Sequence, residues 1–341
     1  MRVLILAAAL ATILAGPAHA WGPAGHRWVS GIAAENLPAE LPAFLRAKKN
    51  VAMIAEFGNE PDRSRGSGRT HDHDRDAGHF VDLTDDGKVL GGVAFETLPE
   101  TRWEYDTALR AGGSDQYKSG YATYAIIDGF QQLAKDFAYY RAAVIGEKRA
   151  ATAADRAWFK EDKRQREALI IRDLGIWSHY VGDITQPQHT SIHYDGWGNY
   201  PNPNNYPMAR FHVRWENQFV QFNVKRAAVA ASVPAFRDCA CTIQQRTRDY
   251  VLASFAEVTA LHVLEGKAAF PDKAGDPADP VLAEQIAFGT KQLALAAAEI
   301  RDMTVMAWRA STAQGVGYPV IPLADIESGK VVLTRQMLGG E

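Results

Sequence analysis

The sequence predicts an all-α protein, a single helical bundle with long surface loops, and three observations predict it. Apolar residues recur at spacings of three and four: Ile126, Phe130, Leu133, Phe137 and Tyr140 form one stripe, and Ile170, Leu174, Trp177 and Val181 another. No alternating strand series competes with these stripes, and no internal repeat divides the chain. With 341 residues, 47% of them hydrophobic and 23% charged, the polypeptide can bury a large core as one domain.

The chain opens with Arg2, an apolar stretch from Val3 to Leu14 and Ala18-His19-Ala20, which together read as a cleavable secretory signal peptide over residues 1–20. That run is too short to span a bilayer, and no later run of about 18 apolar residues offers a transmembrane helix. The sequence thus predicts an exported protein, secreted or periplasmic, with its body at 21–312 and a C-terminal extension at 313–341. A helix is expected at 25–36, where Pro38 ends the pattern. Residues 58–79 are expected to be a structureless polar segment containing His71-Asp72-His73-Asp74. The two core stripes follow.

A second long loop is expected at 190–210, where glycines and prolines brace Tyr194, Trp197, Tyr200 and Tyr206. These aromatics either stack bases or cage an organic cation, or else they pack down on the helices. A short helix is expected at 211–226. Another starts at Thr242 with Gln245 as capping-box partner, carries Val251, Phe255 and Val258 inward and stops near Gly266. The last runs from Val281 to Trp308, with Leu282, Ile286, Leu293, Ala297 and Ile300 on one face. The only cysteines are Cys239 and Cys241, so no disulfide framework supports the fold, and a bond between this close pair is expected to be strained.

The formal charge is −3, and removal of Arg2 with the leader makes it −4. Such a chain is not a general polyanion binder, so any attraction for phosphate must be local. Locality comes from metal-type ligands. His179 and Asp183 stand four residues apart and share a helix face; Pro187 then turns the chain and brings His189 round. His212 and Glu216 repeat the spacing. Two such pairs and an intervening histidine can hold more than one ion, and the donor types suit zinc. Leader cleavage would leave Trp21 with a free amine of pKa roughly 8, able to chelate through nitrogen and carbonyl, with His26 close behind. The alternative is that Trp21 is a packing aromatic and His26 a surface helix residue.

The segment Trp21-Gly-Pro-Ala-Gly-His26, the Asp62-x-x-Arg65 unit, Gly78-His79-Phe80-Val81-Asp82, residues 179–189 and His212-x-x-x-Glu216 resemble, in order, the zinc phospholipase C and single-strand nuclease superfamily. The S-one/P-one nuclease type is the most similar. The resemblance implies three zinc ions: one on Asp62, His79, His179 and Asp183, a second on the Trp21 amine and carbonyl, His26 and a bridging Asp183, and a third on His189, His212 and Glu216. Asp72 and Asp74 compete with Asp62 for its place. Three Zn²⁺ against three carboxylates leave the cluster at about +3, which would attract phosphate to an acidic protein. A water shared by paired ions could then attack phosphorus, oriented by Asp62, with Arg65 bracing the transition state.

In the same resemblance Phe80 stacks on a base and Asp82 hydrogen-bonds it; otherwise Phe80 is a core residue. Stacking tolerates any base but requires it unstacked, so single strands are preferred. The expected function is therefore an exported zinc phosphodiesterase, acting as a monomer on single-stranded DNA and RNA to give 5′-phosphate ends, with 3′-nucleotidase activity besides. The alternative is a phospholipase C acting on phospholipid headgroups, which Glu216 favours. A non-catalytic zinc-binding protein is the third reading. His71 and His73 read as solvated, His193 as a loop residue within reach of substrate, His262 as structural or exposed, and the basic residues around Lys163 as a solvated helix face.

Overall fold

The computed structural model describes residues 21–340. The expected leader lies outside them. The chain is all-α, 65% helical with 3% strand. Helix α1 (Pro23–Glu35) has Pro23 at its first turn and buries Val29, Ile32 and Ala33. Helix α2 (Lys48–Phe57) follows, and then the segment expected to be structureless proves helical. Helices α3 (Glu60–Arg63) and α4 (Arg69–Arg75) and a 3₁₀ turn at Asp76–His79 occupy it. The polar composition hid these turns, because short helices held against a protein surface need no apolar stripe of their own.

Helix α5 (Arg102–Ala111) starts from a complete capping box, in which Thr101 accepts from the Glu104 amide and Glu104 accepts from that of Thr101. After the short α6 (Gln116–Ser119) come two long neighbours, α7 (Ala122–Arg149) and α8 (Ala153–Ile184), which carry the two predicted stripes. They pack along each other closely because α7 presents glycine where α8 presents rings. A Cβ at Gly129 would collide with Trp177, and one at Gly146 with Phe159.

Beyond the aromatic loop, the expected helix at 211–226 is a π-helical segment (Arg214–Phe219) running into α9 (Val220–Asn223), and the chain breaks before α10 (Arg226–Ala231). The helix expected from Thr242 has the anticipated capping box but is two helices, α11 (Ile243–Phe255) and α12 (Val258–Lys267). Val251 and Val258 are buried, while Phe255 only half faces the core. Helix α13 (Pro280–Ala310) fills the centre, against α1, α7 and α8.

The C-terminal extension is no loose tail. Strands β1 (Gly315–Val316) and β2 (Ile321–Pro322) pair antiparallel and lead into α14 (Leu323–Glu327). Val316, Leu323, Ile326 and Leu333 form a satellite apolar cluster with Ala138 and Ala142 of α7 and Phe159 of α8. Cys239 and Cys241 are joined by a disulfide. Among the described residues no helix is long and apolar enough to cross a membrane.

Candidate metal centre

The last two turns of α8 carry His179 and Asp183 inward, both fully buried. Helix α1 lays the His26 ring flat on His179, with centroids 3.8 Å apart and planes 18° apart. The Asp76–His79 turn delivers His79, and α3 delivers Asp62. Pro187 starts a 3₁₀ turn (Pro187–Thr190) that brings His189 beside His79: the Val81 amide donates to His189 O at 2.9 Å, and His189 Nδ1 donates to His79 O at 2.7 Å. The π-helical segment aims Glu216 at His212, whose Nε2 lies 2.7 Å from Oε2. A π turn inside a helix is frequent at functional sites.

Three buried or half-buried groups result, each compact enough for one ion: His26, His179 and Asp183; Asp62, His79 and His179; His189, His212 and Glu216. The first two share His179. Asp183 spans both, with Oδ1 3.3 Å from His26 Nε2 and Oδ2 3.0 Å from His79 Nδ1 and 3.5 Å from His179 Nε2. Asp62 Oδ1 lies 3.8 Å from His179 Nε2, which answers the competition for that role. Asp72 instead accepts from the Gly66 amide, and Asp74 from the Tyr117 hydroxyl.

The donor set fits divalent cations on grounds of tautomer and charge. His179 Nδ1 donates to Gly58 O at 2.7 Å, His189 Nδ1 to His79 O, and His212 Nδ1 to Tyr194 O. In the neutral ring each bond leaves the Nε2 lone pair turned into the cluster, the arrangement seen around metal-ligating histidines. His189 Nε2 and His212 Nε2 face each other at 3.2 Å, with Glu216 Oε2 2.7 Å from His212 Nε2. Two nitrogens on tetrahedral zinc are about 3.3 Å apart. Glu216 Oε1 is buried with no hydrogen-bond partner among the described residues.

Burial sets the protonation tendencies. Desolvation holds His179 well below the usual imidazole range, reinforced by His26, and it also lowers His189. Asp183 is driven well above the carboxylate range by desolvation, with Asp62 adding to it. At Glu216 the raising effect of burial is outweighed by His212, so its carboxyl is lowered; at His212 the lowering effect of burial is outweighed by Glu216. Neutral imidazoles around a carboxylate that burial resists ionising are a setting that a cation relieves.

The cluster faces a cavity of about 380 Å³ lined by His79, His189 and His212 together with Arg65, Phe80 and Asp82. Arg65 Nε stands 3.4 Å from Asp62 Oδ1, between the second group and the cavity. Phe80 is half-buried, resting on the core and lining the cavity. Asp82 is buried, and desolvation pushes its carboxyl well above the usual range. A neutral carboxyl can both donate and accept a hydrogen bond.

The alternative readings of the other residues also resolve. His26 is fully buried and is no surface helix residue. The Trp21 side chain does pack as an aromatic anchor, its indole donating to Gly182 O and Thr185 Oγ1, both at 3.0 Å. His193, expected within reach of substrate, is buried and tied to Trp197 O and Asp85. The aromatic loop divides: Trp197 stacks on His193 and caps the buried His262, whereas Tyr194 and Tyr200 stay exposed. His71 is half-buried and His73 exposed, as solvated residues.

Sequence reasoning missed Gln186, Gln188 and Lys118. Gln186 Nε2 lies 3.2 Å from His212 Nε2 and 3.3 Å from Glu216 Oε2, and Gln188 and Lys118 line the cavity. Gln186 and Gln188 lie inside the ligand-bearing segment 179–189, and that position was the available signal. The chain matches no known family model, and no curated protein matches it.

Proposed function

We propose that the protein is an exported zinc-dependent phosphodiesterase that hydrolyses single-stranded DNA and RNA to 5′-phosphate products and also removes 3′-phosphates from nucleotides. One observation carries the reading: three converging donor groups, two of them joined through His179 and Asp183, meet at a cavity that also presents Arg65, Phe80 and Asp82. The sequence resemblance to the zinc nuclease and phospholipase C superfamily supports it.

Asp62, His79, His179 and Asp183 would hold one zinc; His26, Asp183 and the main-chain amine and carbonyl of Trp21 a second; His189, His212 and Glu216 a third. Zinc at such a cluster supplies Lewis acidity toward phosphate oxygens and charge to offset the leaving group. The chain's own residues do the rest. Asp62 accepts the proton of the attacking water and fixes its direction, with the Arg65 guanidinium close enough to brace phosphoryl charge. Phe80 offers a face for the base beside the scissile bond, and the buried Asp82 carboxyl reads its edge. Burial of the cluster excludes bulk water and strengthens each of these interactions.

A phospholipase C acting on the same chemistry is the second reading, favoured by Glu216 as the carboxylate of the third group. The deciding experiment offers the purified protein single-stranded DNA, RNA and phosphatidylcholine, with and without chelator. Chelator-sensitive cleavage of the nucleic acids is expected. Cleavage of lipid with nucleic acid untouched would overturn the nuclease assignment.

A further inference from the structure

A second and larger cavity, of about 970 Å³, flanks the metal centre on the other side of the Asp76–His79 turn. Asp76 and His79 line the Phe80 cavity, whereas Arg75 and Gly78 of the same stretch line this groove. Tyr180 also lines it, and the Tyr180 ring lies 5.1 Å from that of His79 and 5.6 Å from that of His179. Groove and metal centre therefore share a wall.

Four arginines face the groove: Arg69 and Arg75 from α4, Arg102 from the start of α5, and Arg172 from α8. Arg172 is neutralised by Asp173 at 2.5 Å. The others have no carboxylate bridge among the described residues, because their acidic neighbours are engaged elsewhere: Asp72 with His71, Asp74 with His73, Asp76 with Arg65, Asp106 with Arg110. Arg102 lies 4.3 Å over the face of Tyr121. Asp74 of α4 also lines the groove, but Arg69, Arg75 and Arg102 outnumber it on the α4–α5 side, while Asp128 and Asp173 come from α7 and α8. In a chain of net charge −3, three guanidiniums without a carboxylate bridge on one side of a groove are a local anion site of the kind arginine forks recognise.

We propose that this groove is a distal subsite for the backbone phosphates of single-stranded nucleic acid, gripped by Arg69, Arg75 and Arg102 while the scissile phosphate sits at the metal centre. The proposal rests on the nuclease reading and names where the rest of the strand goes. A phospholipid headgroup carries its phosphate to the metal centre and leaves none for a second site. A polymer of phosphodiesters presents both at once. Tyr180, half-buried on the shared wall, adds a flat surface on which any base can stack.

The test replaces Arg69 and Arg102 together (Arg69→Gln/Arg102→Gln) and compares a dinucleoside monophosphate, too short to span both sites, with a twelve-residue oligothymidylate. Lys163→Gln/Arg164→Gln, on a remote face of α8, controls for the loss of two charges. On the long strand kcat/KM should fall about tenfold through KM, with kcat and all dinucleotide constants unchanged, and the slope of log(kcat/KM) against log salt should flatten by about 1.4. Equal losses on both substrates, or the same loss in the control, would overturn the subsite.

A binding arm stands whether or not the strand is cut. Anisotropy of labelled oligothymidylate under chelator should show tighter binding by the parent than by the double variant, and equal binding or none by the parent sinks the proposal. A parent that binds but cleaves nothing would instead count against the nuclease assignment alone. The single variants serve if the double variant fails to fold, as judged by its thermal melt.

Discussion

His26 and His179 are stacked face to face, with ring centroids 3.8 Å apart, and Asp183 reaches the edges of both. Burial, reinforced by His26, holds His179 well below the usual imidazole range, which favours the uncharged ring at this stack. Helices α1 and α8 thus meet through a pair of imidazole rings as well as through the Val29–Gly182 contact and the Ser30–Ser178 hydrogen bond.

Asp183→Asn should remove two ions together and leave the third group loaded, because both carboxylate oxygens are used, Oδ1 toward His26 and Oδ2 toward His79. An amide cannot supply two anionic oxygens. Elemental analysis after gel filtration measures this, and an unchanged metal content would remove Asp183 from its bridging role.

Arg65→Lys should retain metal yet lose about 10²-fold in kcat, since an ammonium cannot reproduce a forked contact to a charge that grows in the transition state. Arg65 is held near Asp62 at 3.4 Å and shows 12% of its side chain to solvent, so it is placed rather than mobile. Turnover equal to the parent's would leave Arg65 with a structural part only.

Trp21→Phe should destabilise the protein by about 2–5 kcal/mol, because the Gly182 carbonyl and the Thr185 hydroxyl lose a buried donor and the smaller ring leaves a cavity at a fully buried site. At roughly 2–4 °C per kcal/mol the melting temperature should fall measurably in a scan. No shift would mean that the indole proton contributes only orientation.

His262→Phe should flatten the acid limb of the stability profile. Burial lowers His262 from 6.5 to about 4, so the unfolded chain takes up this proton first as pH falls. The stability is therefore present above about 6.5 and is lost as pH drops to about 4, by up to roughly 3 kcal/mol. Asp136, pushed up to about 7 by its burial and by Asp173, works in the opposite direction and is common to both proteins. Parallel denaturant titrations of parent and variant at several pH values isolate the histidine. Superimposable profiles would contradict the assignment.

Local rules in the sequence determined the helical class, the α7 and α8 stripes, the Thr242 cap and the pairing of His179 with Asp183 and of His212 with Glu216. Each depends on residues within one or two turns, where spacing dictates which side chains share a face. The α11–α12 break, the helical character of 58–79 and the π turn at Glu216 were not legible, because packing partners distant in the chain impose them. Only the tertiary structure decided that Asp62 rather than Asp72 or Asp74 joins the cluster, that His26 stacks under His179, and that Arg69, Arg75 and Arg102 line one groove. Those choices rest on contacts across long stretches of chain, and convergence in space is a property that the order of residues does not contain.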